Sequence, residues 1–385
     1  MNILMFSTDR AVFDEESPVR RRLTEQASLV SGMHVVVLTK KKDAFDRRHF
    51  GKHVTVYPTS SVNRLAYIVD AYRLGVEILR AGRHTSRWLV TTQDPFEVGV
   101  VGYLLARKFR APFHVQLHTD PWSEAWRRGH ILNRVRFLLG LFLLKHADGI
   151  RVVSERVEKR VLGLGIPRER VTKIPIYVDT EYFFGAKPAF DPRRTYPAYG
   201  KVVLSIGRLE PEKNFRGLIR AFAIVHRAHP DALLLIIGSG AERERLLSLA
   251  RSLSLDDCVK ILPWARDVAT YYKTCDVYVQ PSLYEGWGLA VIEALASGAP
   301  VVMTDVGCAG EVVKHEESGL VVPVNDEKAL AHAIGQLLDN HTLALSLAGS
   351  GNGAVKRLAT KAETLILYKT SWENTLLHGE KQGKT

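Results

Sequence analysis

The sequence predicts an α/β fold with two parallel-sheet domains, and three observations carry that expectation. Short apolar runs alternate with longer helix-like segments, the rhythm of strand and crossover helix. The rhythm stops once, in GAKPAFDPRRTYPAYG over 185–200, which is rich in Pro, Gly and aromatic residues and has no periodicity. It then restarts, and 385 residues suit two domains at roughly 100 to 200 residues each. NILMFS, HVVVLT, RWLVTT, FHVQLH and GIRVVS read as strands of the first domain, 1–185. After a linker at 186–200, KVVLSIG, ALLLIIG, CVKILP, VYVQPS, APVVMT and GLVVPV read as strands of a second, 201–365. Residues 366–385 are expected to form a helix and tail returning toward the first domain, with HGEKQGKT as a frayed polar end. Alternation of this kind implies Rossmann-like sheets covered on both faces, whose ligands gather at the carboxyl ends of the strands.

Composition narrows the class. With 46% hydrophobic and 24% charged residues the chain is not extensively disordered. Cys258, Cys275 and Cys308 are odd in number and far apart, so neither a disulfide framework nor a metal site is expected. MNILMFSTDR lacks the basic stretch of a secretory signal, and a cytoplasmic location is expected. The apolar cluster FLLGLFLL at 137–144 falls short of the ~20 residues that cross a bilayer. The formal charge of +12 is uneven: residues 1–185 hold 30 Lys and Arg against 19 Asp and Glu, while 186–385 hold 23 against 22. A basic first half suits nucleic acid, anionic lipid or phosphate-bearing substrates, and charge alone does not choose among them.

Three segments could carry chemistry. In SIGRLEPEKNFRGLIRAF, 205–222, a strand ends at Gly207, a loop holds Arg208 and Lys213, and a helix starts near Asn214. Two cations beside a helix amino terminus suit a diphosphate, since Arg grips phosphate with two hydrogen bonds and Lys acts as a point charge. A solvated loop paired with Glu210 and Glu212 is the bland alternative. In LLLIIGSGAERERL, 233–246, the dinucleotide pattern G-x-G-x-x-G fails because Arg243 stands where the third glycine belongs; a tight turn remains, with or without a phosphate beside it. In YEGWGLAVIEALASGAPVV, 284–302, Glu285 lies in a loop with Gly286 and Gly288, and a helix beginning near Leu289 carries Glu293. Amides at Gly288 and Leu289 could face a phosphate or sugar, Glu285 sugar hydroxyls, and Glu293 a ribose. The apolar neighbours Ile292, Ala294 and Leu295 mean that Glu293 needs a partner.

EGWGLAVIE resembles the E-x7-E signature of the family 4 glycosyltransferases, retaining enzymes of GT-B fold that use nucleotide sugars. GRLEPEKN resembles that family's phosphate-gripping loop, IPIYVDTEYF the segment before its linker, and GSGAERERL, CDVYVQPS, ASGAPVV and ESGLVVP recur in the family order. The resemblance implies two Rossmann-like domains facing a central cleft, and a hexosyl unit moved from a UDP- or GDP-sugar to a glycan or lipid-linked acceptor. It implies that Arg208 and Lys213 neutralise the donor diphosphate in place of a metal, with no cofactor beyond the donor itself. Glu285 would meet the transferred sugar, Glu293 the ribose, and the base would lie near Pro263 and Trp264. His118, in FHVQLHTD, matches the family histidine that contacts the donor sugar.

One departure stands out. The family often has a Gly-Gly loop after its first strand, whereas this chain reads STDRAVFDEESPVRRRLTEQ, with Ser17 and Arg20 at the expected helix start in a position to meet an anion. WSEAWRRGHILNRVRFLLGLFLLKHAD, 122–148, mixes Trp, Arg and aliphatic residues, and suits either an anionic membrane surface on the inner face of the cytoplasmic membrane or a core helix with a basic outer face. A GT-B epimerase or phosphorylase is the nearest alternative enzyme. A nucleic-acid-binding protein is the non-enzymatic one, and no nucleic-acid motif supports it.

Overall fold

The structure is a computed structural model describing residues 1–82 and 87–382. It divides into two compact units. The first comprises Met1–Trp122, His130–Pro175 and Thr360–Thr385, and the second Ser123–Gly129 and Ile176–Ala359.

In the first unit the strands are β1 (Asn2–Ser7), β2 (Gly32–Val37), β3 (Arg48–Phe50), β4 (Val54–Pro58), β5 (Trp88–Thr92), β6 (Phe113–Leu117), β7 (Gly149–Val152) and β8 (Val171–Lys173). Among the described residues they form one sheet in the order β3-β4-β2-β1-β5-β6-β7-β8, with only the β3–β4 pair antiparallel. The sequence reading missed β3, β4 and β8. β3 and β8 span three residues each, too few to show a period, and β4 ends at Pro58, a residue that reads as a stop. The central strands are buried on both faces, so each reads as a continuous apolar run.

The second unit holds β9 (Lys201–Ile206), β10 (Ala232–Ile237), β11 (Val259–Leu262), β12 (Val277–Gln280), β13 (Val301–Thr304) and β14 (Leu320–Val322). They form a wholly parallel sheet in the order β11-β10-β9-β12-β13-β14. The order reverses direction between β9 and β12. Such a switch point leaves a crevice at the carboxyl ends of the strands.

The stretch 186–200, read as a linker, packs on the second unit. Arg193 donates to the Gly200 and Thr274 carbonyls at 2.8 and 2.9 Å and pairs with Asp276. The chain end is a helix, Lys361–Gln382, which continues through residues expected to fray; 383–385 lie outside the described residues. Tyr368, Trp372 and Leu376 recur every four positions along it and are buried in the first unit's core, which holds the helix past the polar residues.

Candidate active site

The second unit gathers most of the predicted residues past the ends of β9, β10 and β12. After β9, the loop from Gly207 enters a single 3-10 turn, Pro211–Lys213, and Asn214 caps the helix Phe215–Ala228 by accepting from the Gly217 amide at 3.2 Å. The loop after β10 lies directly against it. Leu209 N donates to the Ser239 carbonyl at 2.9 Å, and a Cβ on Gly238 would sit 1.9 Å from the Gly207 carbonyl oxygen. The glycines of GSG are therefore explained by backbone packing of two loops, and that packing needs no phosphate.

Glu285 is the focus of the site. Its Oε1 accepts from Lys213 Nζ, from Gln280 Nε2 at 2.9 Å and from Ser282 Oγ at 2.8 Å. Gln280 also donates to Ser282 at 2.6 Å and accepts from the Tyr278 hydroxyl at 2.6 Å. Lys213 and Glu285 keep only 17% and 14% of their side chains exposed, so this ion pair is far less screened than a surface one. Gln280 and Ser282 were missed in the sequence. Their signal was available: two polar residues ending a strand otherwise buried and apolar.

The structure separates the two loop cations. Lys213 turns to Glu285, whereas Arg208 is 71% exposed and pairs with Glu212 at 2.9 Å. The two loops are joined nearby, where Leu283 N donates to the Glu212 carbonyl at 2.8 Å. Tyr284, beside these groups, has its hydroxyl pKa pushed up to about 12, first by burial and then by Glu212.

Past Glu285 the chain turns through Gly286 and Gly288, both buried, into the helix Leu289–Ala296. Gly288 sits at the helix start with φ 105°, a left-handed conformation, and no side chain caps the helix. The loop at Gly307 holds the turn from outside: Cys308 N donates to the Trp287 carbonyl at 2.8 Å, and a Cβ on Gly307 would lie 2.3 Å from that oxygen. Glu293, partly buried, finds the partner its apolar face requires in Tyr272, whose hydroxyl donates to Oε2 at 3.0 Å. Burial raises the Glu293 pKa and the Tyr272 bond offsets part of that rise. Its Oε1 has no hydrogen-bond partner among the described residues. Trp264 follows β11 and is 58% exposed.

In the first unit, β6 ends beside a buried cation. Arg151, 1% exposed, donates to the Ile174 carbonyl through Nε and Nη2 at 3.0 and 2.8 Å, and to Gln116 Oε1 at 2.9 Å. It lies 4.7 Å over the ring of Tyr368, a residue of the closing helix. Its Nη1 is 3.4 Å from His118 Nε2. An arginine stays protonated and only donates, so Nε2 must accept and the His118 proton resides on Nδ1. Desolvation, then Arg151 and Arg22, hold His118 well below the usual histidine range, so the ring is neutral.

Ser17 and Arg20 are committed to local structure. Ser17 caps its helix by accepting from Val19 N at 3.1 Å. Arg20 pairs with Glu15 at 3.1 Å and lies 4.6 Å over the Phe50 ring. These intramolecular contacts are the ones the structure shows for the pair expected to meet an anion.

Two parallel-sheet α/β units, with polar side chains collected past the strand ends, are the GT-B architecture. The chain belongs to the group 1 glycosyltransferases: residues 190–351 match the family model of glycosyl transferases group 1, and 19–176 match that of the glycosyl transferase 4-like domain. It is accordingly a glycosyltransferase. Among curated relatives, the D-inositol 3-phosphate glycosyltransferase of Thermobispora bispora is 34% identical over 326 residues, covering 80% of this chain and 76% of the relative. Several others match over less than two thirds of their own length. Among solved structures, sucrose-phosphate synthase from Thermosynechococcus elongatus aligns over the whole of both chains with a TM-score of 0.77 at 24% identity. HepE of Anabaena, in complex with UDP-glucose, also aligns over both whole chains, with a TM-score of 0.73 at 18% identity.

Proposed function

We propose that the protein is a retaining glycosyltransferase that moves a hexosyl unit from a UDP- or GDP-sugar to a glycan or lipid-linked acceptor, with no metal or other cofactor. The observation that carries this is the Lys213–Glu285 pair, held with Gln280 and Ser282 where β12 ends. A carboxylate that three donors converge on is fixed in place, as an acceptor for sugar hydroxyls must be. Lys213 is shared: an arriving diphosphate competes for its ammonium, and Glu285 then turns its freed oxygen to the sugar. Arg208, exposed and paired only with Glu212, swings to the same phosphates. The uncapped amides at Leu289 add the positive end of a helix. Glu293 offers its unpaired Oε1 to the ribose, and exposed Trp264 a face to the base.

Transfer on this reading proceeds on one face of the sugar. The bond from the anomeric carbon to the phosphate oxygen breaks, the bond to the acceptor oxygen forms on the same side, and the acceptor proton passes to the departing phosphate. The protein supplies positioning and charge stabilisation rather than a strong base. In the first unit His118, neutral with its proton on Nδ1, is suited to donate to a sugar hydroxyl. The complex of HepE with UDP-glucose and the resemblance of GRLEPEKN support a nucleotide-sugar donor, and the name of the Thermobispora bispora relative, a D-inositol 3-phosphate glycosyltransferase, supports a phosphate-bearing acceptor.

Access to a lipid-linked acceptor is supported by the helix Ile131–Lys145. Ile131, Val135, Leu138 and Phe142 form one exposed apolar row along it, 84%, 62%, 67% and 46% exposed, where a core helix would bury them. Among the described residues no helix is long and apolar enough to cross a membrane, so contact would be peripheral, with this row in the lipid interface. A thermal-shift and turnover panel of UDP-, GDP- and ADP-sugars tests the function: stabilisation by one class, with slow hydrolysis of that sugar, is expected, and no response to any would refute the reading.

A further inference from the structure

At the amino ends of β6, β7 and β8 the first unit has a concavity of about 720 Å³. Arg107 and Arg110 reach it from the end of the helix Glu97–Phe109, Lys145 and His146 from the end of Ile131–Lys145, and Arg170 from the turn before β8. Among the described residues Asp148 is the one carboxylate in its wall, and its Oδ2 is taken by the Phe113 amide at 2.8 Å. Tyr103 and His146 line one side, their rings edge to face at 5.7 Å. This place is separate from His118. Phe113 opens β6 and His118 follows its end, so a strand of roughly 16 Å lies between them.

The ordinary explanation for cations at helix carboxyl ends is the macrodipole. It accounts for Arg107 and Lys145, which stand in the last turns of their helices. It leaves Arg110 and Arg170 in surplus. Arg110 takes the left-handed capping position, φ 53°, that chains usually give to glycine or asparagine. Four guanidinium and ammonium groups, set against one carboxylate and two helix ends of about half a charge each, leave a net charge near +2 in the concavity. Among the described residues, Arg107, Arg110, Lys145 and Arg170 form no ion pair within 4 Å. The volume exceeds what an inorganic ion needs and falls in the range of small-molecule sites.

We propose that this concavity is a second ligand site, binding a phosphate ester whose phosphate meets Arg107, Arg110, Lys145 and Arg170 and whose organic part lies against Tyr103 and His146. A soluble phosphate ester and the headgroup of an anionic phospholipid share this chemistry, and the experiment separates them. The full chain carrying Arg208→Gln and Lys213→Ala, which removes both cations of the other anion loop, is titrated with inorganic phosphate and sedimented with vesicles of phosphatidylglycerol in phosphatidylcholine. Arg107→Gln/Arg170→Gln is compared with Arg107→Lys/Arg170→Lys, which keeps the charge, and with Arg227→Gln/Arg251→Gln on exposed positions of the second unit. Charge-assisted contacts of this kind predict at least about a tenfold loss of binding in the first pair and little change in the other two. Sensitivity of phosphate binding supports a soluble ester; sensitivity of vesicle binding alone supports a headgroup. Absence of both kinds of binding, or equal binding by all three variants, overturns the site. Because both cations of that loop are absent throughout and only positions in the concavity are varied against the controls, the result is independent of the donor reading above.

Discussion

In the first unit the buried ion at the strand ends is a cation, Arg151, while in the second it is a carboxylate, Glu285. Among the described residues Arg151 has no acid partner; two carbonyl bonds, Gln116, His118 and the Tyr368 ring hold it. Glu285 is held by a cation and two neutral donors. Burial, and after it the cation, holds nearby histidines below the ordinary range, as at His114 and His118. The carboxylate instead lies against a cation of its own, Lys213. A buried cation without a counter-ion makes a fixed frame that excludes further protons, whereas a paired carboxylate can exchange its cation for a ligand.

Removing each centre tests that contrast. Glu285→Ala should lower turnover roughly 10²- to 10³-fold, the scale of losing a charge-stabilising group, while the nucleoside diphosphate still binds. Retained turnover would end the sugar-facing role of Glu285. Arg151→Met should leave the Ile174 carbonyl and Gln116 unpaired and cost about 3 kcal/mol of stability by denaturant unfolding, with nucleotide affinity unchanged. If nucleotide affinity falls as far as stability, the two units are not distinct in the way described. Lys213→Ala should weaken nucleoside diphosphate binding about 10- to 100-fold by calorimetry, as expected for a charge-assisted contact in a shielded site.

The pH dependence sharpens the first unit's half of the contrast. His114 is pushed down to about 3 from 6.5, so between those values the unfolded chain binds a proton that the folded chain refuses. Its contribution to stability is therefore complete above pH 6.5 and is lost as pH falls toward 3. Asp94, raised to about 7 by burial, works in the opposite sense over much of that window, so the informative quantity is a difference. His114→Asn should flatten the stability profile by up to one proton relative to the unaltered chain, and parallel profiles would show that His114 is not held neutral. The smallest effect is expected at Trp264: alanine there should change stability by less than about 0.5 kcal/mol, because the ring is mostly exposed, while affinity for the nucleotide falls a few-fold.

The same contrast explains what could be read from the chain. Gln280, Ser282 and Glu285 lie within six residues, and Gly207 through Asn214 form one loop, so the second unit's site is written in contiguous segments. Its strands, buried on both faces, also announce themselves as apolar runs. The Arg151 arrangement draws on positions 116, 118, 151, 174 and 368, and no local spacing joins them. Ser17 and Arg20 are ambiguous in the sequence for a related reason. A serine before a proline-started helix and an arginine in its first turn look alike whether they serve an anion or only the cap and aromatic ring that the structure shows.

The proposed function requires above all that Lys213 and Glu285 exchange each other for a sugar nucleotide. A crystal structure with the tightest-binding member of the UDP-, GDP- and ADP-sugar panel measures this directly. Lys213 Nζ is predicted on a phosphate oxygen and Glu285 Oε1 on a sugar hydroxyl, with their mutual bond broken. A bound donor that leaves the Lys213–Glu285 bond intact, with its diphosphate elsewhere, would contradict the exchange.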